Sequence, residues 1–377
     1  MSHFTVMVVL PQMPTKRNEL LEKALQPFHE FECTGTVDEY VKSVDRTEEL
    51  REHYKTETAI LIVERPDGSK FYAFNDEGDY IEELQPFYVE VPGEFHKKLV
   101  LPDGYKELYD EPLKKWRKFS EYCVENCGPV IGRGHRPDIH DRHKWGWTRV
   151  EGGKVTEAVR RTNPDKRWDW WQVGGRWSGK LLAKDSVKAT KGRPGVLDSE
   201  YNVNGVDICK VGNLDFEAMR KVNVKVRHES VFKPLEKESI AYVDAVKVWQ
   251  EYLDAAEDDR AAWQATENYG PYYTWIDNLP DDHPVKRFTR GPVGAAWGNW
   301  GAQIPQTIRD PLQWIDAAPA LTCWAYLQDG EWSEKGEMGW FGMSSNDRDP
   351  AEWESEVTKR VESLPQDYWV AMVDCHI

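Results

Sequence analysis

Histidines and carboxylates at the two ends of the chain are the first candidates for chemistry. His3 precedes the run Phe4–Leu10, while Asp374 and His376 alternate with Val373, Cys375 and Ile377. The runs Phe4–Leu10 and Tyr368–Ile377 are rich in Val and aromatics and carry apolar residues on both faces, the pattern of central strands. Side chains alternate across a strand, so Asp374 and His376 emerge on one face. If the two strands lie antiparallel side by side, the start of one abuts the end of the other and His3 meets His376. Imidazoles beside carboxylates can serve as general acid and base or bind a divalent metal. The alternative is a pair of frayed histidines with no task.

A second constellation is Phe28-His-Glu-Phe-Glu-Cys-Thr-Gly35. A regular strand here puts Glu30 and Glu32 on one face and His29, Phe31 and Cys33 on the other. A catalytic reading then needs a bulge or turn before Gly35 to bring His29 to Glu32; otherwise His29 is a hydrogen-bonded core histidine. A third is Cys123-x3-Cys127-x7-His135-x4-His140-x2-His143. Cysteines four apart share a helical face, and thiolates with imidazoles form the tetrahedral set that zinc prefers. The histidine spacing fits no standard finger, and Cys123 also completes an apolar stripe.

The stretch Trp168-Asp-Trp-Trp-Gln-Val-Gly-Gly-Arg-Trp-Ser-Gly179 gathers four of the chain's 18 tryptophans around a glycine pair and one arginine. Each Trp carries about 150–250 Å² that must find a partner, and adjacent glycines permit sharp turns or close approach. Trp170, Gly174, Gly175, Arg176 and Trp177 therefore stand as ligand contacts, with a guanidinium able to stack and to present a fork to phosphate. Trp340, in Met338-Gly-Trp-Phe-Gly342, is a further candidate wall, and Trp297-Gly-Asn-Trp-Gly301 repeats the theme. Asp215-Phe-Glu-Ala-Met-Arg220 opens a short helix whose acids already suit the helix dipole. His3-Phe-Thr-Val6 and His228-Glu-Ser-Val231 resemble the paired motifs of two-histidine phosphodiesterases. The second lies in a charged stretch and the similarity is read as chance. Walker, Rossmann, Gly-x-Ser-x-Gly and His-Glu-x-x-His signatures are absent.

The elements that must position these groups follow from periodicity. Ala59–Val63 and Lys70–Phe74 form a hairpin across Pro66-Asp-Gly68, and Thr322–Leu327 another across Asp329-Gly330. Pro112 opens a helix carrying Leu113, Trp116, Phe119 and Cys123. Residues 238–258 form a helix striped by Tyr242, Val246, Trp249, Leu253 and Ala256. Asp349-Pro350 opens the last helix, with Trp353, Val357, Val361 and Leu364 inward. The expectation is one large α+β domain over residues 1–377. Its sheet is mixed or mainly antiparallel and includes both terminal strands, with helices packed on it. Residues 123–147 and 181–212 are candidate insertions or loop excursions.

The 377 residues carry 49 Lys plus Arg against 65 Asp plus Glu, a net charge of −16. Scattered acids of this kind exclude broad binding of extended duplex nucleic acid. Six cysteines are too few for a disulfide framework at this length. The opening residues lack a basic leader and their apolar run stops at Pro11, so a strand is expected rather than a signal peptide or membrane span.

Met1-Ser-His-Phe-Thr-Val6, His29-Glu-Phe-Glu-Cys-Thr-Gly35, the Trp168–Trp177 block, Asp215–Arg220, Gly336-Glu-Met-Gly-Trp-Phe-Gly342 and Val373-Asp-Cys-His-Ile377 together resemble a family of uncharacterised proteins encoded by bacteriophages and prophages. The blocks span the whole chain. The resemblance implies work in the cytoplasm of an infected or lysogenic bacterial host, and it does not extend to the Cys123–His143 segment. Two functions are open at this stage. One is a Trp- and Arg-lined site for a nucleotide or other phosphorylated ligand, with hydrolysis by His3, His29, Glu32 and His376, and zinc as a candidate cofactor. The other is a non-catalytic protein that binds and inhibits a host defence factor through aromatics such as Trp297–Trp300 or Tyr269–Trp275.

Overall fold

Both terminal runs form strands buried on their two faces, His3–Leu10 and Trp369–His376, and they pair antiparallel along their whole length. The computed structural model describes residues 2–13, 18–74, 79–89, 97–109, 111–193, 205–264, 272–298, 302, 304–338 and 344–377. Trp340, Trp300 and Tyr269 lie outside the described residues. The chain divides into two compact units, Met1–His29 with Arg167–Ile377, and Glu30–Lys166.

In the first unit the terminal strands lie at the centre of a mixed eight-stranded sheet. Strand His3–Leu10 pairs parallel with Ala325–Gln328, which turns back antiparallel as Glu331–Glu334 across Asp329-Gly330. On its other side Trp369–His376 pairs with two strands in succession, Gly205–Lys210 along one half and Trp170–Val173 along the other. Residues 181–212, expected as a polar excursion, thus supply a central strand with five consecutive buried residues, flanked by Leu181–Leu182 and Thr190–Lys191.

Because side chains alternate, each strand feeds two cores. Met7, Val9, Val370 and Met372 face Met219, Val222, Trp353, Val357 and Val361. Phe4, Val6, Val8, Ala371, Val373 and Cys375 face Leu21, Leu25, Phe28 and Trp168 on the other side. Asp349 accepts from Ala351 and Glu352 N–H at the start of helix Pro350–Glu362, and Pro350 occupies its first turn, where a missing N–H costs nothing. Asp215 caps in the same way, but its helix is long, Phe216–Lys237. The helix reaches from the sheet layer to a helical core, where Val231 and Leu235 join Trp249, Phe288 and Trp297. Trp297 is 1 % exposed and donates its indole N–H to Val231 O, so it is core and presents no contact patch.

The second unit holds a four-stranded sheet of Lys42–Asp45, Lys154–Thr162, Gly146–Glu151 and Val130–Ile131, covered by helices Thr47–Thr56 and Phe119–Cys127. Pro112 opens only a short turn, and the helix begins at Phe119, where Glu121 accepts the Lys118 N–H. A three-stranded sheet contains the expected hairpin, as Ile62–Glu64 and Lys70–Tyr72, with Lys106–Leu108 as third strand.

Candidate functional site

Register sets out the site before any side chain is considered. His3 lies opposite His376, and His376 opposite Trp170, so one cross-strand row reads His3, His376, Trp170. Two residues on, the next row reads Thr5, Asp374, Gln172. All six side chains share a face, and directly opposed residues are neighbours at about 4.5–5.5 Å.

The rings meet accordingly. The imidazoles of His3 and His376 lie 4.9 Å apart, edge to face. Trp170 stacks on His376 at 5.3 Å and meets His3 edge-on at 5.2 Å. Each imidazole is anchored by its own carboxylate: His3 Nδ1 to Asp374 Oδ1 at 2.9 Å, and His376 Nδ1 to Asp169 Oδ1 at 2.6 Å. An ionised carboxylate only accepts, so each Nδ1 carries a proton. That leaves each Nε2 as the working atom, and neither has a hydrogen-bond partner among the described residues. Trp170 is 40 % exposed, an indole face open to a ligand.

Asp374 is fully buried and is held from three sides. Besides His3 it accepts from Gln172 Nε2 at 3.3 Å and from the backbone N–H of Arg176 at 3.0 Å. The glycine pair explains how the chain comes so close. A Cβ on Gly175 would sit 2.1 Å from Asp374 Oδ2, and one on Gly174 2.5 Å from Asp207 Oδ2, both at positive φ. Asp207 is a second buried carboxylate, taking the Gly179 N–H at 2.6 Å and the Ser178 hydroxyl at 2.9 Å. Burial pushes its carboxyl above the usual range, against the pull of these donors. The Gly174–Gly179 loop is therefore folded around two carboxylates.

Several expected residues fall elsewhere. The Arg176 side chain is exposed, with no bond or ring contact among the described residues, and its contribution to the cluster is the backbone N–H. Trp177 is half-buried against the sheet core. Trp168 is core, donating its indole N–H to Leu25 O. His29 is fully buried and bridges to Trp168, in the layer on the opposite face of the sheet from His3 and His376. Residues Phe31–Thr34 form a helical turn closed by Gly35 at φ +65, not a strand. Within the second unit Glu32 pairs with Arg160 and Lys166 at 3.7 and 3.5 Å. Burial opposes ionisation of Glu32, but the Thr162 hydroxyl and these two cations outweigh it and lower its pKa. His228 lies within helix Phe216–Lys237, stacked on Phe232, which leaves its likeness to a phosphodiesterase motif without a structural counterpart.

Among the described residues no group of three or more His, Cys, Asp and Glu side chains is placed to hold a metal. Cys123 and Cys127 are buried with Leu50, Val155 and Ala158, and burial pushes the Cys123 thiol up to about 12. His143 is buried and its Nδ1 accepts the Asp138 N–H, while His135 and His140 are exposed.

A groove of about 620 Å³ follows helix Pro350–Glu362 past Glu352, Glu356 and Arg360, but Arg360 already pairs with Glu356 at 2.5 Å. The unpartnered Nε2 atoms make the histidine cluster the stronger candidate. Asp169, Asp374 and Gln172 complete it. Asp374 stood out beside His376, but Asp169 and Gln172 carried no signal beyond their place in the Trp-rich block. No protein-family model, curated protein or solved structure matches the chain.

Proposed function

We propose that this protein is a hydrolase of nucleotides or related phosphorylated molecules, acting in a phage-infected or lysogenic bacterial host. One observation carries the reading: two imidazoles 4.9 Å apart, each anchored at Nδ1 by a carboxylate and each with an unpartnered Nε2. Two such groups can work as base and acid in one displacement. The neutral imidazole takes a proton from water through Nε2 as the water oxygen bonds to phosphorus. The bond from phosphorus to the leaving oxygen breaks, and the protonated imidazole gives that oxygen its Nε2 proton. Water is added across the bond, and proton exchange with solvent resets the pair. Asp374 and Asp169 hold the rings in the required tautomer. Trp170 offers its exposed face to a base.

The test is hydrolysis of a panel of nucleotides and bis(p-nitrophenyl) phosphate. His3→Ala and His376→Ala should each lower kcat by roughly 10²–10⁴, with a bell-shaped pH profile in the parent chain. Trp170→Ala should raise KM for nucleotides more than for the nitrophenyl ester. Turnover unchanged in both histidine variants would defeat the proposal. Failure of the parent chain to bind or cleave any member would turn attention to the host-factor inhibitor.

A further inference from the structure

Residues 132–145 carry Arg133, Arg136, Arg142 and Lys144 against Asp138 and Asp141, within a chain of net charge −16. The stretch is a loop, yet it is firmly held. From strand Gly146–Glu151, Arg149 donates to the carbonyls of Gly132 and His135 at 3.1 and 3.2 Å. From strand Lys154–Thr162, the buried Arg161 donates to those of Ile139 and Lys144 at 2.8 and 2.9 Å. Within the loop, the His143 N–H reaches Asp138 O and the Asp138 N–H reaches His143 Nδ1. His143 Nε2 is then a buried donor with no partner among the described residues.

The exposed charged side chains of the loop are Arg133, Arg136 and Arg142 against Asp138 and Asp141. Arg136 and Arg142 are exposed and make no ion pair among the described residues, and Arg133 only approaches Glu151 at 3.8 Å. At the end of the same loop Trp145 is 43 % exposed, packed on Phe31, with the Lys144 ammonium 4.7 Å from its ring centroid. Loops held on rigid elements commonly carry recognition.

The geometry points to this loop as a docking surface for single-stranded nucleic acid. Arg133, Arg136 and Arg142 follow the phosphates, and Trp145 stacks on an unpaired base as Lys144 takes the adjoining phosphate. An indole can reach a base face only where bases are unstacked, which selects single strands over duplex. The surface lies within the Glu30–Lys166 unit alone, so its fate is independent of the histidine cluster.

The experiment is fluorescence anisotropy of the full chain with a labelled single strand of about 16 nucleotides, across a salt series, against a duplex of the same sequence and a polyglutamate peptide. The expected result is tighter binding of the single strand than of either competitor. Arg136→Ala/Arg142→Ala should flatten the slope of log K against log salt by about 1.4, which is ~0.7 for each cation removed. Trp145→Phe should retain most of the affinity, and Trp145→Ala should lose about 5- to 150-fold with the slope unchanged. These positions are exposed, and circular dichroism identifies any variant that misfolds. Absence of binding at low salt, equal binding of duplex or polyglutamate, or indifference to Trp145→Ala in a folded variant each overturns the proposal.

Discussion

Replacing Gly175 by alanine tests whether the glycine pair exists to let the chain close on Asp374. The new methyl would lie 2.1 Å from Asp374 Oδ2 and 2.3 Å from its Cβ, at φ +52. Asp374 has no exposed surface to retreat into, and it is held by His3, Gln172 and the Arg176 N–H. Gly330, in the same unit, supplies the control: φ is +82 and nothing lies within 4 Å of an added Cβ. Gly330→Ala therefore shows left-handed backbone strain alone, about 1–2 kcal/mol. Gly175→Ala adds overpacking of about 1–3 kcal/mol and weakens a charged hydrogen bond worth about 1.5–3 kcal/mol. The difference between the two variants should be about 2–4 kcal/mol in denaturant unfolding, or at least about 4 °C in Tm for a unit of this size. NMR of the His3 ring gives a second reading, since displacement of Asp374 removes the acceptor that keeps the proton on Nδ1. Two variants of equal stability, with His3 unchanged in tautomer, would refute the argument.

Cysteine chemistry supplies two more predictions. Of the six cysteines, Cys33 is exposed and the other five are buried, so Ellman titration of the native protein should show one fast thiol and five that react only on denaturation; a second fast thiol would contradict the burial. The Cys123 thiol is pushed from 9.0 to about 12 by burial, so the folded state holds its proton where the unfolded chain releases it. Its contribution to stability is complete below pH 9 and is lost as pH rises toward 12, at about 1.4 kcal/mol per pH unit. Unfolding measured between pH 8 and 11 should show a shallower alkaline decline in Cys123→Ala than in the parent, and parallel curves would exclude the effect.

The meeting of His3 with His376 was legible because two sequence-local facts suffice: alternation along each terminal run and antiparallel pairing of the two. Asp169 was not legible as the partner of His376. Its place depends on strand Trp170–Val173 lying along the half of Trp369–His376 that Gly205–Lys210 leaves open, a long-range choice with no local mark. That strand Gly205–Lys210 was itself hidden by its polar and glycine-containing flanks. Cys123 and Cys127 show a different ambiguity. A spacing of four suits a zinc ligand pair and a buried helical face equally well, and here both thiols lie among apolar neighbours. Pairing of His29 with Glu32 needs a turn before Gly35, and Gly35 does close a helical turn, yet the two residues belong to different compact units. Arg176 is the most instructive case. Its residue type advertises a guanidinium, yet what reaches Asp374 is a backbone N–H that almost any residue could supply. The constraint in that block therefore falls on the neighbouring glycines, whose missing Cβ atoms let the loop approach Asp207 and Asp374.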